Sequence, residues 1–329
     1  MLRRTVLALG LVVGIGLSLT AGAQRAKKLY RVGVLSPFSP SFGAGPSFEA
    51  FSKAIRELGY TEGRDVAFEY RWADGHLDRL PDLAVELARQ RVDVIFAAWG
   101  TLAALAAKRA TSSIPVVFAG VGDAVGVGLV PSLAHPSGNL TGSTFITEET
   151  IGKQLQLLQE IVPKVSRVGV VINSSNPVYG PILKASETPA RALNLKLSVV
   201  GVERSDDFEI AFRKAVQARV DGFVVLRDPL LQINRTQILT LVASSRLPAV
   251  YGMREFVDSG GLVSYGPDLA EMYRRAAYLV DKILKGSSPA ALPIEQPTRF
   301  ELVINLKTAK ALGLTIPQSV LARANEVIQ

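Results

Sequence analysis

No cysteine occurs anywhere in the 329 residues, which excludes disulfides, thiolate metal sites and a cysteine nucleophile, and with them any lipid carried on a cysteine. Histidine is nearly as scarce. The two present, His76 and His135, stand far apart in loop-like or helix-start contexts, and no H-E-x-x-H, Walker lysine loop or G-x-S-x-G elbow accompanies them. No metal, cofactor or catalytic residue is therefore expected, although chemistry by Asp, Glu or Ser stays open at this level. The apolar run from Leu7 to Leu19 covers 13 residues, short of the roughly 20 that a spanning helix needs. Basic clusters are also missing apart from Arg25, Lys27 and Lys28, so the formal +8 charge is dispersed and no nucleic-acid partner is expected.

What is present begins with a leader. Met1-Leu2-Arg3-Arg4 precedes the apolar run, and Ala21-Gly22-Ala23 stands before Gln24. A charged start, a short apolar core and a small-x-small end make a secretory signal peptide, residues 1–23, with cleavage expected after Ala23. A secreted chain with neither disulfide nor lipid anchor is expected in the periplasm of a two-membrane bacterium. With 48% of residues hydrophobic, the rest can build one large core or two of ordinary size.

The remaining chain alternates strand and helix signals. Arg31 to Leu35 reads as a buried strand, Pro46 to Leu58 as a helix stopped by Gly59, and Val66 to Tyr70 as a strand. Leu77 to Ala88 is helical, Val92 to Ala97 a strand, Thr101 opens an Ala-rich helix, and Pro115 to Ala119 is a strand again. Such alternation implies parallel strands joined by crossover helices. The pattern then recurs. Arg31-Val-Gly-Val34 returns as Arg167-Val-Gly-Val170, Arg91-Val-Asp93 as Arg219-Val-Asp221, and Ile114-Pro115 before a strand as Leu247-Pro248, at offsets of 136, 128 and 133 residues. Three matches in one order at nearly constant spacing predict a duplicated unit. The expected fold is α/β: two doubly wound, Rossmann-like lobes with parallel sheets, joined by about three hinge crossovers. Lobe one is assigned residues 29–144 plus 256–288 and lobe two residues 145–255 plus 289–329, with Asn139 to Phe145 carrying the first crossing.

In such sheets ligands sit beyond the carboxyl ends of the strands. The candidates are Ser36, Pro37, Phe38, Trp99, Gly100, Thr101, Gly122 and Asp123 in lobe one. In lobe two they are Asn173, Ser174, Asn176, Asp228 and Tyr251, within loops that include Arg227 and Pro229. Gly100-Thr101 reads as a helix cap able to take a ligand carboxylate, and Asp123 and Asp228 as partners for a ligand ammonium. Turn or cap duties account for the same residues without a ligand. Trp99, Phe38 and Tyr251 are candidate stacking faces, and Arg254 and Glu255 are either contacts or a solvated helix start. Gly120-Val-Gly122-Asp-Ala-Val-Gly126 departs from the dinucleotide spacing and reads as a loop.

Six segments, in order, carry a resemblance: Glu57-Leu-Gly-Tyr-Thr-Glu-Gly63, Glu69-Tyr-Arg-Trp-Ala73, Asp78-Arg-Leu-Pro81, Phe118-Ala-Gly-Val-Gly-Asp123, Tyr265-Gly-Pro-Asp268 and the tail Phe300 to Gly313. The chain resembles the ABC transporter substrate-binding proteins of the tryptophan/tyrosine type. That resemblance implies a type I periplasmic-binding fold, a small-molecule ligand such as an amino acid or related carboxylate, an ABC permease in the inner membrane as partner, and a monomer. It marks Thr101, Asp123, Asn173 and Asp228 as ligand contacts, while Trp99 and Ala124 depart from the family pattern. A secreted enzyme using acidic residues in the interlobe cleft and a sensor module for a receptor are the competing readings.

Overall fold

A computed structural model describes residues 28–43, 45–145 and 147–329. The signal peptide assigned to residues 1–23 lies outside them. Among the described residues no helix is long and apolar enough to cross a membrane.

The first half runs β1 (Tyr30–Ser36), α1 (Pro40–Gly43), α2 (Pro46–Glu57), β2 (Val66–Trp72), α3 (Leu80–Arg89), β3 (Val94–Ala97), α4 (Thr101–Ala110), β4 (Val116–Gly122), β5 (Leu140–Phe145) and α5 (Thr147–Ile161). It continues with β6 (Arg167–Asn173), α6 (Tyr179–Ala192), β7 (Lys196–Val202), α7 (Phe208–Gln217), β8 (Gly222–Val225), α8 (Pro229–Ile233), α9 (Arg235–Ser245), β9 (Ala249–Tyr251), α10 (Arg254–Asp258) and β10 (Val263–Pro267). Then come α11 (Leu269–Leu284), β11 (Phe300–Asn305), α12 (Leu306–Ala311), α13 (Gln318–Leu321) and β12 (Glu326–Ile328). The first sheet has the order β2-β1-β3-β4-β5 and the second β12-β11-β10-β9-β8-β6-β7. Reading the second sheet from β7 to β10 gives the same order as the first, so the duplicated unit is real. The strands β3, β4 and β8 are buried throughout and apolar, as strands covered on both faces must be.

The repeated Arg-Val-Asp has one structural task in both lobes. Arg91 and Arg219 take left-handed backbone, φ 52° and 57°, which turns the chain from helix to strand. The carboxylate of Asp93 then accepts the Arg31 amide at 2.8 Å, and that of Asp221 the Arg167 amide at 2.8 Å. Each acid thereby fastens the start of its lobe's first strand to the start of a sheet neighbour, β1 to β3 and β6 to β8.

Two expectations need correction. The strand β11 is antiparallel to β10, so the second sheet is not parallel throughout. Residues 256–267, expected in lobe one, belong to the second sheet's side: β10 pairs with β9 and β11, and α10 packs beside it. The return to lobe one begins at α11, whose Asp268 cap accepts the Glu271 amide at 3.0 Å. The chain crosses three times, after β5, after β10, and between Leu292 and β11, where Ser143 bridges to Glu295. After the first crossing α5 lies against α6, β9 and β10. After the second, α11 packs its apolar stripe onto α2, β3, β4 and β5, with Tyr273 edge-on to Phe96 at 5.2 Å and Phe96 stacked on Phe51 at 4.3 Å. Burying a ring such as Phe51 stabilises the lobe by about 3 kcal/mol or more.

Candidate functional site

The carboxyl ends of the two sheets face each other across a pocket whose walls come from both lobes. Lobe one supplies the turn after β3. There the Ala98 amide stays bonded to Leu35 O at 2.9 Å and the Gly100 amide to Ala119 O at 3.2 Å, while Trp99 and Gly100 both take left-handed backbone, φ 71° and 91°, to launch α4. A non-glycine residue in that region costs about 1–3 kcal/mol and commonly marks a functional turn. The turn holds the Trp99 indole against lobe two and puts the start of α4, Gly100 and Thr101, on the pocket wall. Gly120, at a bulge in β4, takes φ 69°, a backbone region that favours glycine, and borders Arg227: a Cβ there would make ordinary contact with Leu269 at 3.4 Å and with Arg227 Nη2 at 3.8 Å.

Lobe two supplies Arg227, two residues beyond the end of β8. Its guanidinium lies 4.6 Å from the Trp99 ring centre and 5.6 Å from that of Phe145 at the end of β5. Part of the side chain still reaches solvent, but Nε and Nη2 are buried and have no hydrogen-bond partner among the described residues. Burial pulls this guanidinium below its usual pKa, with Glu255 opposing the shift. On the same wall the Gln154 amide donates through Nε2 to Tyr265 O at 2.8 Å, and its Oε1 is buried without a partner. The pocket thus holds two unmet donors on a cation and one unmet neutral acceptor.

Of the residues expected at the site, Trp99, Gly100, Thr101, Gly122 and Asn176 line this pocket. Ser36 and Phe38 line a neighbouring cleft on the other side of Trp99, and Pro37 is buried in a turn whose carbonyl accepts the Gly75 amide at 2.9 Å. Gly100, not Thr101, stands at the N-cap of α4, and no side-chain cap bond forms.

The two acids expected to meet an ammonium do other work. Asp123 turns the chain with φ 42° and accepts the Gly126 amide at 2.8 Å. Asp228 is buried and accepts from Asn173 Nδ2 at 3.0 Å, Asn176 Nδ2 at 2.8 Å and the Leu230 amide at 2.8 Å. Those bonds cap α8 and tie β6 to β8. Burial pushes Asp228 up to about 6 against the downward pull of these donors. Asn173 is consumed in the same lock, since its Oδ1 accepts the Ser175 amide and hydroxyl. Ser174 is exposed over Gly201, and Tyr251 is core, stacked on Phe256 at 4.8 Å. Arg254 pairs with Asp258 and Glu326 at the surface.

Gln154 and Tyr179 carry no sequence signal for the site, Phe145 reads only as part of the first crossing, Gly120, which lies within β4, reads only as loop, and Arg227 reads only as part of a loop. The available signal for Arg227 was its place, a cation directly after the buried Gly222–Leu226 run and before a capping aspartate. The Tyr179 hydroxyl donates to Arg227 O at 2.7 Å, and burial raises its pKa well above the usual range.

Comparison with known proteins agrees with this architecture. Residues 44–328 match the family model described as ABC transporter substrate binding protein. A tyrosine-binding protein of Clostridioides difficile (strain R20291) is 27% identical over 266 residues, which is 81% of this chain and 76% of that protein. The structure of an ABC domain in complex with L-Trp from Streptococcus pneumonia is 25% identical, with a TM-score of 0.85 over 92% of this chain and 100% of that one. A conserved domain protein from Vibrio cholerae O1 biovar eltor gives 27% identity and a TM-score of 0.85, covering 91% of this chain and 100% of that one. With two type I periplasmic-binding lobes facing each other across a cleft and a family match across nearly all described residues, this chain belongs to the ABC transporter substrate-binding proteins.

Proposed function

We propose that the protein captures an α-amino acid or closely related carboxylate between its lobes in the periplasm and delivers it, chemically unchanged, to an ABC permease of the inner membrane. The observation that carries this reading is the pairing of unmet groups in one pocket: Arg227 Nε and Nη2 as donors and Gln154 Oε1 as an acceptor. A carboxylate takes two parallel N–H bonds from a guanidinium, and an ammonium donates to an amide oxygen. The relatives that bind tyrosine and tryptophan support the same ligand class. Trp99 and Phe145 offer apolar faces to the side chain. Because the walls come from both lobes, the ligand contacts more surface in the closed state than in the open one, and that difference drives closure.

The test is a thermal-shift screen of the common amino acids, followed by calorimetry of each hit beside its decarboxylated amine. Amino acids raise the melting temperature, the shift growing with the logarithm of ligand concentration above Kd, and the amines do not. Arg227→Met weakens binding about 100-fold, the loss of one buried charge-assisted pair. Equal binding of amine and amino acid, or an unchanged affinity in Arg227→Met, would refute the assignment.

A further inference from the structure

We propose that a second small-molecule site lies on the far side of Trp99 and is built for an aromatic carboxamide. Trp99 is shared by two cavities: it lines the Arg227 pocket and also a second cleft whose walls come from both lobes. That cleft has an aromatic wall, Phe38 lying 5.1 Å from Trp99 and 4.4 Å from Phe42, ring centre to ring centre. Opposite it, lobe two presents Gln232 and Arg235, whose guanidinium sits 5.9 Å from the Phe42 ring.

Gln232 is 2% exposed, yet its Oε1 has no hydrogen-bond partner among the described residues, and the buried Arg235 Nε has none either. Leaving such groups unmet is costly, and the neighbouring side chains do not meet them. Their complement is a planar group carrying an N–H and a C=O together. A carboxylate would satisfy Arg235 and turn its lone pairs on Gln232 Oε1; an amine would satisfy Gln232 and leave Arg235 Nε unmet. A carboxamide serves both, and a flat ring attached to it fits the Phe38, Phe42 and Trp99 faces. Because Trp99 borders both compartments, occupancy of one alters the wall of the other, and the two affinities are reciprocally linked.

Intrinsic fluorescence tests this directly. The protein has two tryptophans; Trp72 and Trp99 both border the second cleft, and Trp99 alone of the two borders the Arg227 pocket. Titration of the full chain with benzamide should give a saturable change, with benzoate and benzylamine about tenfold weaker or more. Gln232→Leu and, at a half-buried position less critical to folding, Phe42→Ala should each weaken benzamide by a similar factor, while both keep the melting-temperature response to amino acids that belongs to the Arg227 pocket. No saturable change with benzamide, or undiminished binding in both Gln232→Leu and Phe42→Ala, overturns the second site. Undiminished binding in both would assign benzamide to the Arg227 pocket and leave the amino-acid reading to its own test.

Discussion

Replacing Arg227 by methionine should let the ligand-free protein close. When the lobes meet around Arg227, the protein alone leaves Nε and Nη2 buried and unmet. At about 2 kcal/mol for each buried donor on a charged group, closure without an anion is penalised by about 4 kcal/mol, roughly a thousandfold in population. Methionine keeps most of the apolar contact with Trp99 and removes both donors, so the penalty disappears and the equilibrium moves toward the closed form. The chain has no cysteine, so Glu57→Cys and Glu209→Cys, exposed positions in α2 of lobe one and α7 of lobe two, can carry a spin-label pair without background labelling. Pulsed dipolar spectroscopy should give a long mean distance for ligand-free Arg227 protein, a shorter one with bound ligand, and a substantial short-distance population in ligand-free Arg227→Met. Identical distance distributions for the two ligand-free proteins would refute the argument that this guanidinium holds the lobes apart.

Asp228 should make stability fall as pH rises. Its folded pKa of about 6 stands above the ordinary 3.8, so the folded state holds the proton more tightly than the unfolded chain. The contribution is complete below pH 4 and lost through pH 6, about 3 kcal/mol in all. Urea unfolding of wild type and Asp228→Asn from pH 4 to 7 checks it, since the difference between them must change with pH; a constant difference is the contrary result. Asp93→Ala should cost about 1–2 kcal/mol and Asp221→Ala more, because both remove the acceptor of an equivalent backbone amide and Asp221 also accepts the Ser166 amide and hydroxyl; chemical denaturation of both variants checks the order. For Asp221, burial pushes the carboxyl up, but the Arg167 and Ser166 amides outweigh it and hold the pKa below its usual value. Its contribution is therefore present above the unfolded pKa and fades as pH falls through the folded one. Phe51→Ala should cost about 3–5 kcal/mol and lower the melting temperature, because the ring is sandwiched in the lobe-one core.

The parts of this molecule that could be read in its sequence are those set by short-range geometry. Apolar runs such as Val94–Ala97 announce buried strands, and Arg91-Val-Asp93 recurs at Arg219-Val-Asp221 because each copy performs the same turn and the same amide capture. The sequence also put Trp99-Gly100-Thr101 at the cleft, since a glycine between strand and helix must lie at the sheet's carboxyl edge. Long-range partners were not legible. Asp123 and Asp228 read either as ammonium partners or as turn and cap acids, and only the donors Gly126, Asn173, Asn176 and Leu230 decide for the second. Arg227 looks like a solvated loop cation until Phe145 and Trp99, distant in the chain, close over it. Strand periodicity carries no mark of which sheet a strand joins, so only the pairing of β10 with β9 and β11 places the span 256–267 in lobe two.

The placement of α11 also orders the assembly of the molecule in time. This helix covers β3, β4 and β5, yet it follows the first five strands of the second sheet in the chain. A polypeptide released from its amino end can finish the core of β6 to β10 while the earlier-made lobe still lacks its cover. Truncation before Leu269 would therefore lay bare the oldest part of the chain and spare more of the younger, and a folding intermediate should show amide protection in β8 before β3.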